Sequence, residues 1–336
     1  MTREEERLFK KKRKPFFERC SLKDALVMLV PFLGMIISAV EFVALPNVHP
    51  VVYVAKSWLP ALAVCAIVYG IFFVASLFIR PLRLKVRHFS WLIFAFFIFF
   101  TIQDYLTLKT GTLRMPFITS PDRIIHELMS YPEQLWGDIT ASMGTLLFGL
   151  VFGITGGVIS GVLCGCVRLV DYWINPLLKI IGPVPGVSWV TVSMTLAPSN
   201  HIAALIIIAS TTWFPLSVNL AGGIRSVSRA SIERAQTLGA SNWYIIRHVV
   251  YPAAAPSIFT GLFMACCFSL TSLVTAETMG VEGGLGWRMG WAQSYVSYDI
   301  IYMIAIIFIL MAFVLITILF IVQRHCMSWS KEVVQW

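Results

Sequence analysis

Ser231-Ile-Glu-Arg-Ala-Gln-Thr-Leu-Gly-Ala-Ser-Asn-Trp-Tyr-Ile-Ile-Arg-His-Val-Val-Tyr-Pro252 is a polar, helix-forming stretch set between two long apolar ones. Ser228 stands where it can cap a first helix through Ile232, Ala235 and Leu238, and Gly239 supplies the left-handed residue that stops it. Ser241 can cap a second helix, whose apolar face is Trp243, Ile246, Val249 and Val250, leading to Pro252. The expected form is a helix-turn-helix arm. Its small face at Ala235, Gly239 and Ala240 suits close seating in a cleft, and Glu233 can pair with a cationic side chain there.

The apolar flanks belong to a chain that is 58% hydrophobic and only 13% charged, the balance of a polytopic membrane protein rather than a soluble domain. A bilayer core takes about 20 helical residues to cross, and eight segments meet that length. They are 24–45, 58–79, 89–106, 139–166, 176–197, 201–221, 252–276 and 300–323. The fold class is therefore an all-α polytopic membrane protein of about eight transmembrane helices. The first 23 residues are too long for the n-region of a cleaved signal peptide, so the first span is expected to be a retained anchor with the N-terminus inside.

Charge distribution agrees with that orientation. Starting from inside, the inner pieces 1–23, 80–88, 167–175, 222–251 and 324–336 hold 20 Lys and Arg, and the outer pieces hold 5. This positive-inside bias places the 222–251 loop and the C-terminus in the cytoplasm. It also accounts for the net charge of +9. Lys10 to Lys14, next to an anchor, reads as a retention signal touching anionic lipid headgroups and gives no support for nucleic-acid binding.

Gly149, Gly153, Gly157, Gly161 and Gly165 repeat every four residues along the fourth span, with Gly156 beside them. Positions four apart drift slowly around a helix, so the stripe stays on one face. Each glycine costs a helix roughly 1 kcal/mol in water, and close helix approach is the structural return that lipid offers. The facing helix can belong to the same subunit or to a second one, and a flattened face lining a solute path is the alternative. The fifth span carries Pro183 and Pro185, which remove backbone donors and kink a helix, either beside a path or within ordinary packing.

Polar residues inside spans mark a candidate path. Ser188, Trp189, Thr191 and Ser193 lie on the fifth, Thr211, Thr212 and Asn219 on the sixth, and Ser269, Thr271, Ser272 and Thr275 on the seventh. Glu41 and Asp104 fall near outer helix ends, where water is expected within reach, and Lys179 near an inner end can snorkel. With no carboxylate at mid-membrane, an ion-coupled secondary transporter is the weaker alternative.

Outside the spans, Ser120 and Pro121 open a short helix with an apolar stripe of Ile124, Ile125, Leu128 and Met129, expected along the outer interface with Trp136 at its far end. The loop through Glu282-Gly-Gly-Leu-Gly-Trp-Arg-Met-Gly-Trp291 suits either docking of an extracytoplasmic protein or an interfacial turn. Seven cysteines sit mainly in spans or inside, and Cys164 and Cys166 diverge by about 200° on a helix, so neither disulfide nor metal is expected. Six histidines show no ligand spacing, and there is neither a nucleophile elbow nor a phosphate loop. No catalytic residue is assigned, and a membrane-embedded enzyme lacks its constellation.

The arm resembles the cytoplasmic loop by which permeases of bacterial ABC importers engage their ATPase, with the family pattern Glu-Ala-Ala-x3-Gly-x9-Ile-x-Leu-Pro. Here Glu233, Arg234, Ala235 and Gly239 are followed after nine residues by Val249-Val-Tyr-Pro252; Arg234 departs from the second Ala. The likeness extends more loosely over about 89–325, through Pro116 to Pro121, Asn175-Pro176 and the Gly-Leu-Gly at 284–286, and is to the nitrate, sulfonate and taurine group. It implies a six-helix permease core at 89–325 plus an extra N-terminal hairpin within 24–88, a basic N-terminus at 1–23 and a tail at 326–336. It also implies a bacterial inner-membrane location, a permease homodimer, two ATPase subunits and an extracytoplasmic solute-binding protein. ATP and Mg would sit on the ATPase, with no cofactor in this chain, and the cargo would be a small anion such as nitrate, a sulfonate or a taurine-like solute. Glu233, Arg234, Ala235, Leu238, Gly239, Ala240 and Pro252 would form the ATPase contact.

Overall fold

The computed structural model describes residues 22–48, 56–113, 115–182, 184 and 186–327; the basic cluster Lys10 to Lys14, Pro183, Pro185 and the tail beyond 327 lie outside them. Every regular element among the described residues is a helix, and seven are long and apolar enough to cross a membrane. The chain divides into two compact units, 1–130 and 131–336.

The first unit contains α1 (Leu22–Ala44), α2 (Trp58–Phe78), α3 (Arg80–Asp104, running on as a π turn through Tyr105–Lys109) and α4 (Pro121–Ser130). Only Ile79 separates α2 from α3, so the inner loop expected at 80–88 is helix instead. The buried Arg83 explains the tight corner: it donates to the Ser76 carbonyl at 3.2 Å and the Leu77 carbonyl at 2.9 Å, satisfying orphan acceptors at the end of α2. At the other end of α2, buried Asp122 accepts from the amides of Lys56 and Trp58 at 3.1 and 2.8 Å. The core between α1, α2 and α3 is Met28, Met35, Trp58, Leu62, Tyr69, Val86 and Phe97. The third long helix, assigned from sequence to the permease core, thus packs within the N-terminal unit.

Two expectations change here. Asp104 is 1% exposed and does not reach water, because the π turn carries the helix onward past it. Lys109 turns back to donate to the carbonyls of Phe42 and Leu45 and to Asn47 Oδ1. In α4, Ile124 is buried while Leu128 and Met129 are exposed, so only part of its apolar stripe faces the unit's interior.

The second unit contains α5 (Pro132–Cys166), α6 (Arg168–Ile181), α7 (Gly186–Leu196), α8 (Asn200–Arg225), α9 (Arg229–Thr237), α10 (Asn242–Ile245, followed by a π turn Ile246–Val250), α11 (Tyr251–Met279), α12 (Leu285–Ser294) and α13 (Tyr298–Cys326). The glycine stripe of α5 meets α8 of the same chain. A Cβ on Gly149 would lie 2.5 Å from Ile208 Cγ2, on Gly153 2.5 Å from Thr212 Cβ, on Gly157 3.0 Å from Leu216 Cδ2, on Gly161 2.9 Å from Leu220 Cβ, and on Gly165 2.8 Å from Ile224 Cβ. Both sets of numbers rise together, so α5 and α8 run parallel. Parallel neighbours require the chain between them to return the full depth.

That return is the fifth span, and the single helix expected at 176–197 is corrected to two. Prolines at 183 and 185 have no backbone N–H to give to a helix, and the helix is interrupted across them: α6 ends at Ile181 and the next helix begins at Gly186. Pro176 lies inside α6, which begins eight residues before it at Arg168. The two pieces descend along α8 in reverse: Asp171 bonds Arg225, Gly182 abuts Phe214, and Val190 packs with Ala204 and Ile207. Among the described residues, seven long apolar helices and this broken pair make eight candidate crossings.

α11 lies antiparallel on α8. Gly261 fits against Leu216 and Asn219, Gly223 against Ser257, and Ala276 against Ala204 and Ile207. Close glycine contact should therefore control stability, and two substitutions separate it from helix propensity. Gly153→Ala, whose Cβ would also meet the Ala209 carbonyl oxygen at 2.7 Å, is expected to lose ~1–3 kcal/mol. Gly144→Ala has nothing within 4 Å and is expected to be neutral or to gain up to ~1 kcal/mol. Thermal melts of the detergent-purified protein distinguish the two.

Candidate coupling arm and translocation path

The connection from α8 to α11 folds into the expected two-part arm. α9 spans Arg229–Thr237 and stops at Gly239, whose φ of 78° lies in the left-handed region that glycine enters without cost. Ser228 occupies the N-cap position, but its backbone carbonyl, rather than its hydroxyl, receives the amides of Ser231 and Ile232. Ser241 does cap with its side chain, accepting from the Tyr244 amide at 3.3 Å. From Asn242 the helix continues through the π turn into α11 without interruption, 38 residues to Met279.

No residue of α9 is buried, and Leu238 just beyond it is 88% exposed. Glu233, Arg234 and Gly239 are open to solvent, while Ala235 and Ala240 are half-buried, as is Pro252 at the start of α11. The second helix meets expectation only in part. Val249 and Val250 are half-buried, but Ile245 is the buried residue while Trp243 and Ile246 point outward, the π turn at Ile246–Val250 rotating the face from there into α11. Sequence spacing drawn on an ideal 3.6-residue helix missed that rotation.

Arg225 was missed as well. Its guanidinium donates to the Cys164 carbonyl at 2.9 Å and pairs with Asp171, fastening the root of the arm to the end of α5 and the start of α6. The signal in sequence is only a basic residue in the last turn of α8.

The polar residues assigned to a path separate into three groups. Trp189 and Ser193 of α7 and Thr211 of α8 line one cavity of about 390 Å³, together with Val192, Leu196, Ile206, Ile207 and Ser210. Ser188 and Thr191 are exposed on α7, Thr271 is exposed on α11, and Asn219 and Thr275 are half-buried. Thr212, Ser269 and Ser272 are buried between helices: Thr212 faces Gly153, and Ser269 donates to the Cys266 carbonyl. Ser160 and Ser217, not singled out from sequence, bond each other at 2.7 Å, and Trp213 Nε1 donates to Ser160 at 2.8 Å. Helical hydroxyls that return their proton to the preceding turn, as Ser210 and Thr211 do, face the cavity with oxygen lone pairs.

The arrangement defines a polytopic helical transport subunit, with a cavity between crossing helices and an exposed arm at one end. Residues 153–328 match the family described as binding-protein-dependent transport system inner membrane component, and the chain belongs to that family, the ABC importer permeases. It is similar to the taurine transport system permease protein TauC of Escherichia coli (strain K12), 25% identical over 235 residues that cover 68% of this chain and 86% of that one. It is 29% identical over 214 residues to the bicarbonate transport system permease protein CmpB of Synechococcus elongatus, covering 60% of this chain and 76% of that protein. Among solved structures, an amino acid ABC transporter crystallised with histidines shares the fold over 60% of this chain and 97% of its own, at a TM-score of 0.51 and 15% identity.

A large side chain in the cavity should obstruct transport without disturbing the arm. Ser193→Trp is expected to lower solute uptake by cells at least about tenfold while leaving membrane yield near wild type, since the substitution fills space rather than a packed contact. Thr191→Trp, exposed on the same helix, serves as the comparison and is expected to leave uptake within about twofold.

Proposed function

We propose that the chain forms the membrane path of an ATP-driven importer and that Arg229–Val250 seats in a groove of a separate ATP-binding subunit. The observation that carries this is α9 itself. Nine residues cannot sustain a helix alone in water, and this helix fully buries no residue in its own chain: along one side Ile232 and Ala235 are only half-buried and Leu238 is exposed. A partner groove supplies the missing burial, Gly239 and Ala240 allow it to approach closely, and Glu233 offers a charge for pairing. ATP and Mg belong to that partner.

The positive-inside bias supports a cytoplasmic arm with both termini on the same side. The parallel pair α5 and α8, with the return through α6 and α7, keeps the crossing count that this orientation needs. By analogy with the family, two copies of the permease surround the path, lipid covers the remaining apolar faces, and a solute-binding protein delivers cargo from outside. The named relatives handle taurine and bicarbonate, which favours a small anion as cargo; the importer core is assigned to 89–325 and the hairpin within 24–88 is an addition to it.

Coexpression with the cognate ATP-binding subunit tests the docking role. Gly239→Trp and Leu238→Asp are each expected to reduce the copurified ATPase by about tenfold or more, the effect of placing bulk or charge in a packed interface. Gly239→Asn, which tolerates the left-handed backbone, is expected to keep it. Full copurification of the Trp variant with undiminished ATPase coupling refutes the assignment.

A further inference from the structure

At the end of α11 remote from the arm, Glu277 is 1% exposed and takes part in a compact set of bonds. Its Oε2 accepts from Ser142 Oγ of α5 and from the Gly286 amide of α12, each at 2.8 Å. Ser142 Oγ in turn accepts from the Leu285 amide at 2.8 Å. The first amides of a helix have no partner within it, and here they are satisfied by two other helices because Gly284 at the N-cap has no side chain to offer.

Glycine makes the approach possible. A Cβ on Gly284, whose φ is 97°, would lie 2.7 Å from Glu277 Oε1 and 2.9 Å from Ser142 Oγ; one on Gly286 would lie 2.6 Å from Glu277 Cβ. One turn away on α5, Asp138 pairs with Arg288 of α12 in a largely buried contact. Asn200, at the start of α8, donates to the Gly280 carbonyl at 2.6 Å.

The helix that ends in this set begins at the arm. From Asn242 to Met279 it is continuous, about 57 Å at 1.5 Å per residue, so one unbroken helix links the arm to Glu277. We infer that Glu277 and Ser142 are positioning residues of a latch that transmits movement of the arm to α12 and the Gly-rich turn before it. The inference rests on the reading of Arg229–Val250 as the ATPase dock. Through the latch, α12 and its exposed Trp287, Trp291 and Tyr295 shift with the rod instead of staying with the bilayer surface.

Hydrogen exchange of the assembled permease–ATPase complex tests this, with Mg-ATP and vanadate as the only added ligands. In the wild type, trapping is expected to change exchange both in the arm, 229–250, and in α12, 285–294. Ser142→Ala is expected to keep the nucleotide-dependent change in the arm and lose it in α12, and Ser142→Thr, which restores the hydroxyl, to recover it. Should Ser142→Ala not assemble, Glu277→Gln is read the same way, with loss of the α12 response expected. A purely structural role would raise α12 exchange in both nucleotide states and leave their difference intact, which overturns the latch. An α12 response equal to wild type in an assembled variant also overturns it. An unresponsive arm in the wild-type complex overturns instead the docking assignment on which it rests.

Discussion

Close contact between the glycine stripe of α5 and the side chains of α8 is the constraint on which the second unit depends. Lipid offers no hydrophobic incentive for helices to associate, so their attraction comes from packing and from bonds between polar groups. Five glycines on one face bring the two axes near enough that Ile208, Thr212, Leu216, Leu220 and Ile224 lie directly on the backbone of α5. The register of that contact is parallel, and connectivity follows from it. The intervening chain must cross back, and with prolines in its middle it does so as two helices, the first held through Asp171 to Arg225 and the second packed through Met194 on Gly280.

The same contact sets where forces can travel. α8 holds α5 on one side and α11 on another, the latter also through glycines, Gly223 and Gly261. Because α11 continues unbroken into the arm, the element that joins the arm at one end is the element that carries Glu277 at the other. Packed glycine interfaces shear as units more readily than they deform.

Charge within the N-terminal unit serves mostly to finish helices. Arg83 satisfies carbonyls at the end of α2, Asp122 satisfies amides at its start, and Lys109 closes the end of α1. Charged groups are retained at these depths when they satisfy backbone that would otherwise be orphaned in an apolar medium. Asp104 is the counterexample to reading depth from position: near a predicted helix end, it is nevertheless covered, because the helix does not end there.

Much of the architecture was legible in the amino acids. Apolar length named the spans, glycine spacing named the packed face, and Gly239, Ser241 and the Glu233 pattern named the arm, because each depends on local backbone geometry or on transfer to lipid. Three matters were decided only by tertiary structure. Which helix filled the glycine groove depended on the mutual register of α5 and α8, information carried by no single segment. The face of the second arm helix turned from Trp243 and Ile246 to Ile245, since a π turn shifts phase in a way composition does not mark. Glu277 and Ser142, 135 positions apart, met only because α5, α11 and α12 converge. Local chemistry fixes what each helix is, and long-range packing fixes which side chains it presents to the others.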